Sequence, residues 1–278
     1  MSYPFIFPCI VHLPAGYDCT IPLPYESVAD RLIGGNGTVT YGVQVFCAGA
    51  KRAEWSEKLI FANGGLVGPP PDPFTWRDAG EDWGGNSGYL ELSLQAADAR
   101  PIFHARAPIS FYSIYTKPGK KAFFSDNAYK YGAPPVIAQI AAFGRFVEGY
   151  PVVHLDRERD LGQTLALINP YKKVVSARIF TCDGRALGPL KVQPASVRLI
   201  RLTDLLRPDE TSWAGQLQLT ANNRVVTYVM MHSLRSPCVL SDHEHLDVFR
   251  SDPTHIPAFQ LLRRRIGQLL RSRGFVIR

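Results

Sequence analysis

Two stretches of this chain repeat one another, and that self-similarity limits the fold more than any other feature. Gly88-Tyr89-Leu90-Glu91-Leu92-Ser93 matches Gly215-Gln216-Leu217-Gln218-Leu219-Thr220, with leucines alternating with polar residues directly after a glycine. The match extends outward. A tryptophan turn precedes each copy (Trp83-Gly84; Trp213-Ala214), and the copies close on Ser125-Asp126-Asn127 and Ser241-Asp242-His243. Upstream, Leu59-Ile60-Phe61-Ala62-Asn63 finds its counterpart in Leu165-Ala166-Leu167-Ile168-Asn169. Self-similarity of this kind is a statement about architecture, and period-two alternation makes the unit a β unit.

The rest of the chain agrees. Its 278 residues suffice for two domains of ordinary size. The 22 prolines and 23 glycines follow no short period, so they punctuate strands as turns do. Thr38 to Cys47 alternates cleanly, with Val39, Tyr41, Val43 and Val45 on one side. The Gly34-Gly35-Asn36-Gly37 run before it leads into a strand rather than a helix, so it reads as a tight turn and not a phosphate cradle. Leu167 to Gly188 resembles an immunoglobulin-like strand pair and turn. The expected fold is all-β: two tandem antiparallel, immunoglobulin-like β-sandwich domains related by internal duplication, plus a C-terminal amphipathic α-helix. The expected division is an irregular segment over 1–37, sandwiches over 38–150 and 151–250, and the helix over 251–278.

Charge singles out that last segment. From residue 250 onward there are seven arginines against one acid, Asp252, so nearly all of the formal net charge of +7 sits in the tail. Phe259, Leu262, Ile266, Leu269 and Leu270 recur at helical spacing, and Arg263, Arg264, Arg265, Arg271 and Arg273 occupy other positions. Such a helix docks on its own sandwich, on a protein partner or second copy, or on an anionic membrane. Nucleic acid is not expected, because the body lacks a basic face of its own. Five cysteines without a Cys-x-x-Cys pair point to a reduced, cytoplasmic setting. The N-terminal stretch lacks the basic start of a signal peptide, and no apolar run is long enough to cross a bilayer.

Two further places could carry chemistry. The long loop of residues 68–88 sets Phe74, Trp76 and Trp83 among Asp78, Asp82 and other acids. Aromatic faces beside carboxylates suit a sugar or a basic peptide; the plainer reading is that the tryptophans cap a sandwich edge. Four of the seven histidines lie between His232 and His255. On a strand, His243 and His245 would share one face, and with Asp242 they would suit zinc. No Gly-x-Ser-x-Gly elbow or His-Glu-x-x-His motif is present. The expectation is therefore a non-catalytic binding or assembly protein that attaches through its basic helix, with no cofactor. Its rival is a carbohydrate-binding or metal-dependent enzyme at the tryptophan loop or the histidines.

Overall fold

A computed structural model describes residues 2–7, 18–22, 33–76, 87–95, 112–116, 123–126, 146–149, 151–222, 225–234 and 240–245, together with Leu262 and Ile266. The chain is all-β and divides into two compact units. The first is built mainly from residues 1–134 and the second mainly from residues 135–278.

The strands of the first unit are β1 (Ser2–Phe7), β2 (Asp18–Ile21), β3 (Gly37–Cys47), β4 (Ala50–Ala62), β5 (Gly65–Val67), β6 (Phe74–Trp76), β7 (Gly88–Gln95), β8 (Tyr112–Thr116) and β9 (Phe123–Asp126). They form a five-stranded sheet in the order β1-β7-β3-β4-β5 and a four-stranded sheet in the order β6-β2-β8-β9. The alternation along β3 works as expected: Val39, Tyr41, Val43, Val45 and Cys47 are all buried. Cys19, Ile21, Phe74, Trp76 and Tyr115 of the four-stranded sheet are buried as well. Two-residue turns with positive φ at both positions, Ala48-Gly49 and Asn63-Gly64, close the β3-β4 and β4-β5 hairpins, as the right-handed strand twist requires.

The 1–37 segment is not wholly irregular, which corrects the sequence expectation. Its residues supply β1, which pairs with β7, and β2, which pairs with β6 and β8. Proline removes a ladder donor, so the segment reads as loop; β1 is an edge strand, where Pro4 is tolerated. The same reasoning explains β6, a three-residue edge strand inside the proline-rich 68–88 loop.

The second unit contains β10 (Phe146–Gly149), β11 (Val152–Asp156), β12 (Leu161–Asn169), β13 (Val175–Thr181), β14 (Ala186–Val192), β15 (Ser196–Arg201), a 3-10 turn (Leu202–Leu205), β16 (Ser212–Ala221), β17 (Val226–Ser233) and β18 (Leu240–His245). One ladder runs β14-β13-β16-β11-β12-β17-β18, with β10 added on β16 and β15 on β12. Strand β10, inside the stretch 38–150 drawn as the first domain, thus pairs in the second unit. The ladder turns over at β11-β12, which share only the pair Asp156–Leu161. Leu155, Ile179, Leu190 and Leu219 then pack with Leu165, Leu167, Ile200 and Val229 in one sandwich core. Along β12 every residue from Gly162 to Asn169 is buried, which accounts for its unbroken apolar run.

Candidate functional site

The three candidate sites fare differently. Leu262 and Ile266 have α-helical backbone and are 54% and 50% exposed. In sequence they are four residues apart, the spacing at which a helix would set two side chains on one stripe. Phe259, Arg263, Arg264, Arg265, Leu269, Leu270, Arg271 and Arg273 lie outside the described residues.

The tryptophan loop loses two of its members to the core. Trp76 is fully buried and Phe74 is 5% exposed. Their rings meet edge-on with centroids 6.3 Å apart, and Trp55 stacks on Phe74 at 6.1 Å. Trp76 also lies directly against Gly88, where any β-carbon would collide with its ring. Neither Phe74 nor Trp76 offers a face to a sugar or peptide, because β6 turns both inward. Asp78, Asp82 and Trp83 lie outside the described residues.

Asp242, His243 and His245 fall on β18, so the histidines share one face of a strand; their side chains lie outside the described set. Among the described residues no group of three His, Cys, Asp or Glu side chains could hold a metal. His232, the fourth residue from that stretch, is described. Its Nδ1 lies 3.1 Å from the Ser233 carbonyl oxygen and its Nε2 2.9 Å from Thr164 Oγ1. A carbonyl only accepts, so Nδ1 donates, and in the neutral ring Nε2 accepts from the threonine hydroxyl. Both nitrogens are therefore engaged within the sheet. The imidazole lies over Gly162, where an added β-carbon would come within 2.8 Å of Cε1. Beside it, the Ser233 hydroxyl donates to Asp160 Oδ2, not to the imidazole. Serine, histidine and aspartate are close together here without forming the relay that activates a nucleophile.

The densest polar cluster is one that sequence reasoning passed over. Arg185 donates from Nη1 and Nη2 to the two carboxylate oxygens of Glu210, at 2.5 and 2.8 Å. Its Nε donates to Asp183 Oδ2 at 2.7 Å, and Nη1 also reaches the Leu205 carbonyl at 2.9 Å. The guanidinium carbon stands 5.1 Å from the Trp213 ring centre, and the indole Nε1 donates to Asp183 at 3.3 Å. A hydrogen bond from Thr181, together with Arg185, pulls the Asp183 carboxyl down to about 2. Glu210 likewise sits below its ordinary value because of Arg185 and the Arg207 amide. The bidentate fork plus the ring contact is the arrangement that arginine alone makes. It ties the β13-β14 turn to the segment entering β16 through four hydrogen bonds from Arg185. The Asp183-Gly184 turn was visible in the sequence; its partners lie some twenty to thirty residues away and were not.

In the first unit, the outer face of β3-β7 carries Phe46 stacked on Tyr89 at 4.8 Å. Burial raises the Glu91 carboxyl above its ordinary range. The Tyr89 hydroxyl is buried without a hydrogen-bond partner, and burial raises it well above its ordinary value.

What the described residues offer is thus two β units, a polar cluster around Arg185 bonded within its own unit, and two half-exposed apolar residues of helical backbone, Leu262 and Ile266. No protein-family model matches the chain, and comparison with curated proteins and with solved structures yields no match either.

Proposed function

We propose that this protein is a non-catalytic binding and assembly protein whose two β-sandwiches are a scaffold and whose basic C-terminal helix is the attachment element. The observation that carries this reading is the exposure of Leu262 and Ile266, two residues of helical backbone four positions apart within the arginine-rich tail. Half-exposed apolar side chains flanked by arginines suit an anionic counter-surface, either an acidic protein or the headgroups of a membrane's inner face. At a membrane each arginine near the headgroups would add roughly 1 kcal/mol. The internal bonding of Arg185, Glu210 and His232 supports a scaffold role for the sandwich that holds them. The loss of Phe74 and Trp76 to the core removes the stacking platform on which a sugar-binding reading leaned.

The same proposal includes a history. The shared Gly-x-Leu-x-Leu strand in each unit, followed by a later strand pair (β8-β9; β17-β18), fits two immunoglobulin-like sandwiches derived by duplication.

The test removes residues 256–278. The truncated chain is expected to keep its β circular-dichroism spectrum and to stop co-sedimenting with anionic vesicles or with the acidic partners that the full chain retains. Full retention of binding by the truncated chain overturns the proposal. Stoichiometric zinc in the purified full chain, lost on His243→Ala/His245→Ala, would move the assignment to the metal site instead.

A further inference from the structure

Among the described residues the β4 strand has a long open edge. Eleven of its thirteen residues pair with β3, but on the other side β5 covers only Ile60, Phe61 and Ala62. After Val67 the chain turns away at Gly68, which has φ +112°, and then meets Pro69, Pro70 and Pro71. Three consecutive prolines cannot extend a ladder. Residues 50–58 are therefore left without a second neighbour among the described residues, and all but Ala50 and Ala53 are exposed.

The open edge has a definite hydrogen-bonding phase. The two-residue Asn63-Gly64 turn makes Ala62 and Gly65 a pair that exchanges both main-chain bonds. Alternation from Ala62 directs the main-chain groups of Glu57 and Trp55 toward β3, and those of Lys58, Ser56 and Glu54 toward the open side. The β3-β4 hairpin gives the same phase from its other end, where Cys47 and Ala50 close the Ala48-Gly49 turn. The register shift that leaves Arg52 unpaired ends the regular edge at Ala53.

Charge then selects one occupant. An antiparallel second copy can pair only residues of matching phase, so Glu54, Ser56 and Lys58 must meet Glu54, Ser56 and Lys58. With the two-fold axis on Ser56, Glu54 of each copy faces Lys58 of the other. Shifting the axis to Trp55 sets Glu54 against Ser56 and forfeits both ion pairs; shifting it to Glu54 or Glu57 sets glutamate against glutamate. Like charges directly opposite destabilise an edge, and opposite charges stabilise it. Mixed charge on an edge ordinarily guards against pairing; here its order disfavours the neighbouring registers and favours one. Glu54 is already held by Lys51 and by Gln44, whose Nε2 donates to it at 2.6 Å, so its carboxylate is fixed on the outer face of the sheet. Trp55, 40% exposed on the opposite face, would be covered by the second copy's edge.

We propose that β4 pairs antiparallel with β4 of a second copy about a two-fold axis at Ser56, giving a homodimer closed by reciprocal Glu54–Lys58 pairs. The surface is isologous, so the assembly stops at two. It stands independently of the C-terminal helix.

The experiment is sedimentation equilibrium of the full chain over a concentration series, with circular dichroism to confirm folding. The full chain is expected to dimerise. Glu54→Lys and Lys58→Glu, each setting like charges across the axis, should each weaken the dimer roughly tenfold or more, and the double swap Glu54→Lys/Lys58→Glu should restore it. Ser56→Pro, which deletes an outward N–H while sparing the bonds to β3, should give a monomer. A monomeric full chain, a dimer that survives Ser56→Pro, or a double swap that fails to rescue folded protein would each overturn the proposal.

Discussion

The upstream halves of the repeat, Leu-x-x-x-Asn in both units, end in asparagines that have opposite fates. Asn63 is exposed at a hairpin tip with φ +54°, where its value is a short side chain that tolerates left-handed backbone. Asn169 is fully buried. Its Nδ2 donates to the carbonyls of Lys173, Val192 and Gln193 at 2.8–3.0 Å, while its Oδ1 accepts from the Tyr171 amide at 3.0 Å. One residue makes a turn; the other joins three segments of chain. The glycines that open the copies diverge as well. Gly88 is buried beneath Trp76, a ring from another strand, and against the Phe46 carbonyl; Gly215 lies beneath Trp213, two residues away on its own strand and only partly buried. Similar sequence thus takes different roles, and the environment assigns them.

Substitution at the asparagines gives the widest predicted contrast. Asn169→Ala should destabilise the second unit by about 4 kcal/mol, because several buried main-chain groups lose their partner together. Asn63→Ala should cost only about 1 kcal/mol, for left-handed backbone, and Asn63→Gly nothing. Urea unfolding of each variant measures both, and equal costs would erase the distinction.

The glycines should differ next. Gly88→Ala is expected to cost about 3 kcal/mol, since the added carbon meets a backbone oxygen and a fully buried ring that cannot yield. Gly215→Ala should cost about 1 kcal/mol, because the half-exposed Trp213 ring can tilt away from a β-carbon 2.6 Å from its edge. Thermal unfolding followed by tryptophan fluorescence would separate them.

The smallest effect sharpens the contrast by pH. Asp183 has a depressed carboxyl, so its folded-state advantage is present above the ordinary value of 3.8 and is lost as pH falls toward about 2. The Trp213 indole N–H resonance should therefore move with a midpoint near 2, and Thr181→Val should raise that midpoint by removing the largest contributor. A Trp213 midpoint near 4 would show the clamp to be open in solution.

Much of the strand framework was legible because burial on one face imposes period-two patterning. Thr38–Cys47, Tyr89–Leu94, Leu165–Ile168 and Val174–Phe180 read as strands, and strands occupy those positions. Strands β1 and β6 were missed because proline argues locally against a ladder, while an edge position removes the objection; β2, paired on both sides by β6 and β8, is only four residues long. The Leu59–Ala62 end of β4 read as a strand end, but residues 50–58 were missed for a different reason: neither face there is buried as a whole, so no alternation is imprinted. The candidate site was less legible. Phe74 and Trp76 beside acids look the same whether they stack on a ligand or on Gly88, and Arg185 gives no local hint of Glu210.

By itself, the sequence determined the β class, the principal turns and the concentration of positive charge in the terminal segment, because each depends on residues within a few positions of one another. The tertiary structure decided which aromatics are core, which asparagine binds three carbonyls, and which strand edge stays open. These follow from pairings between residues far apart in the chain, and burial belongs to what lies above a side chain rather than to the side chain itself.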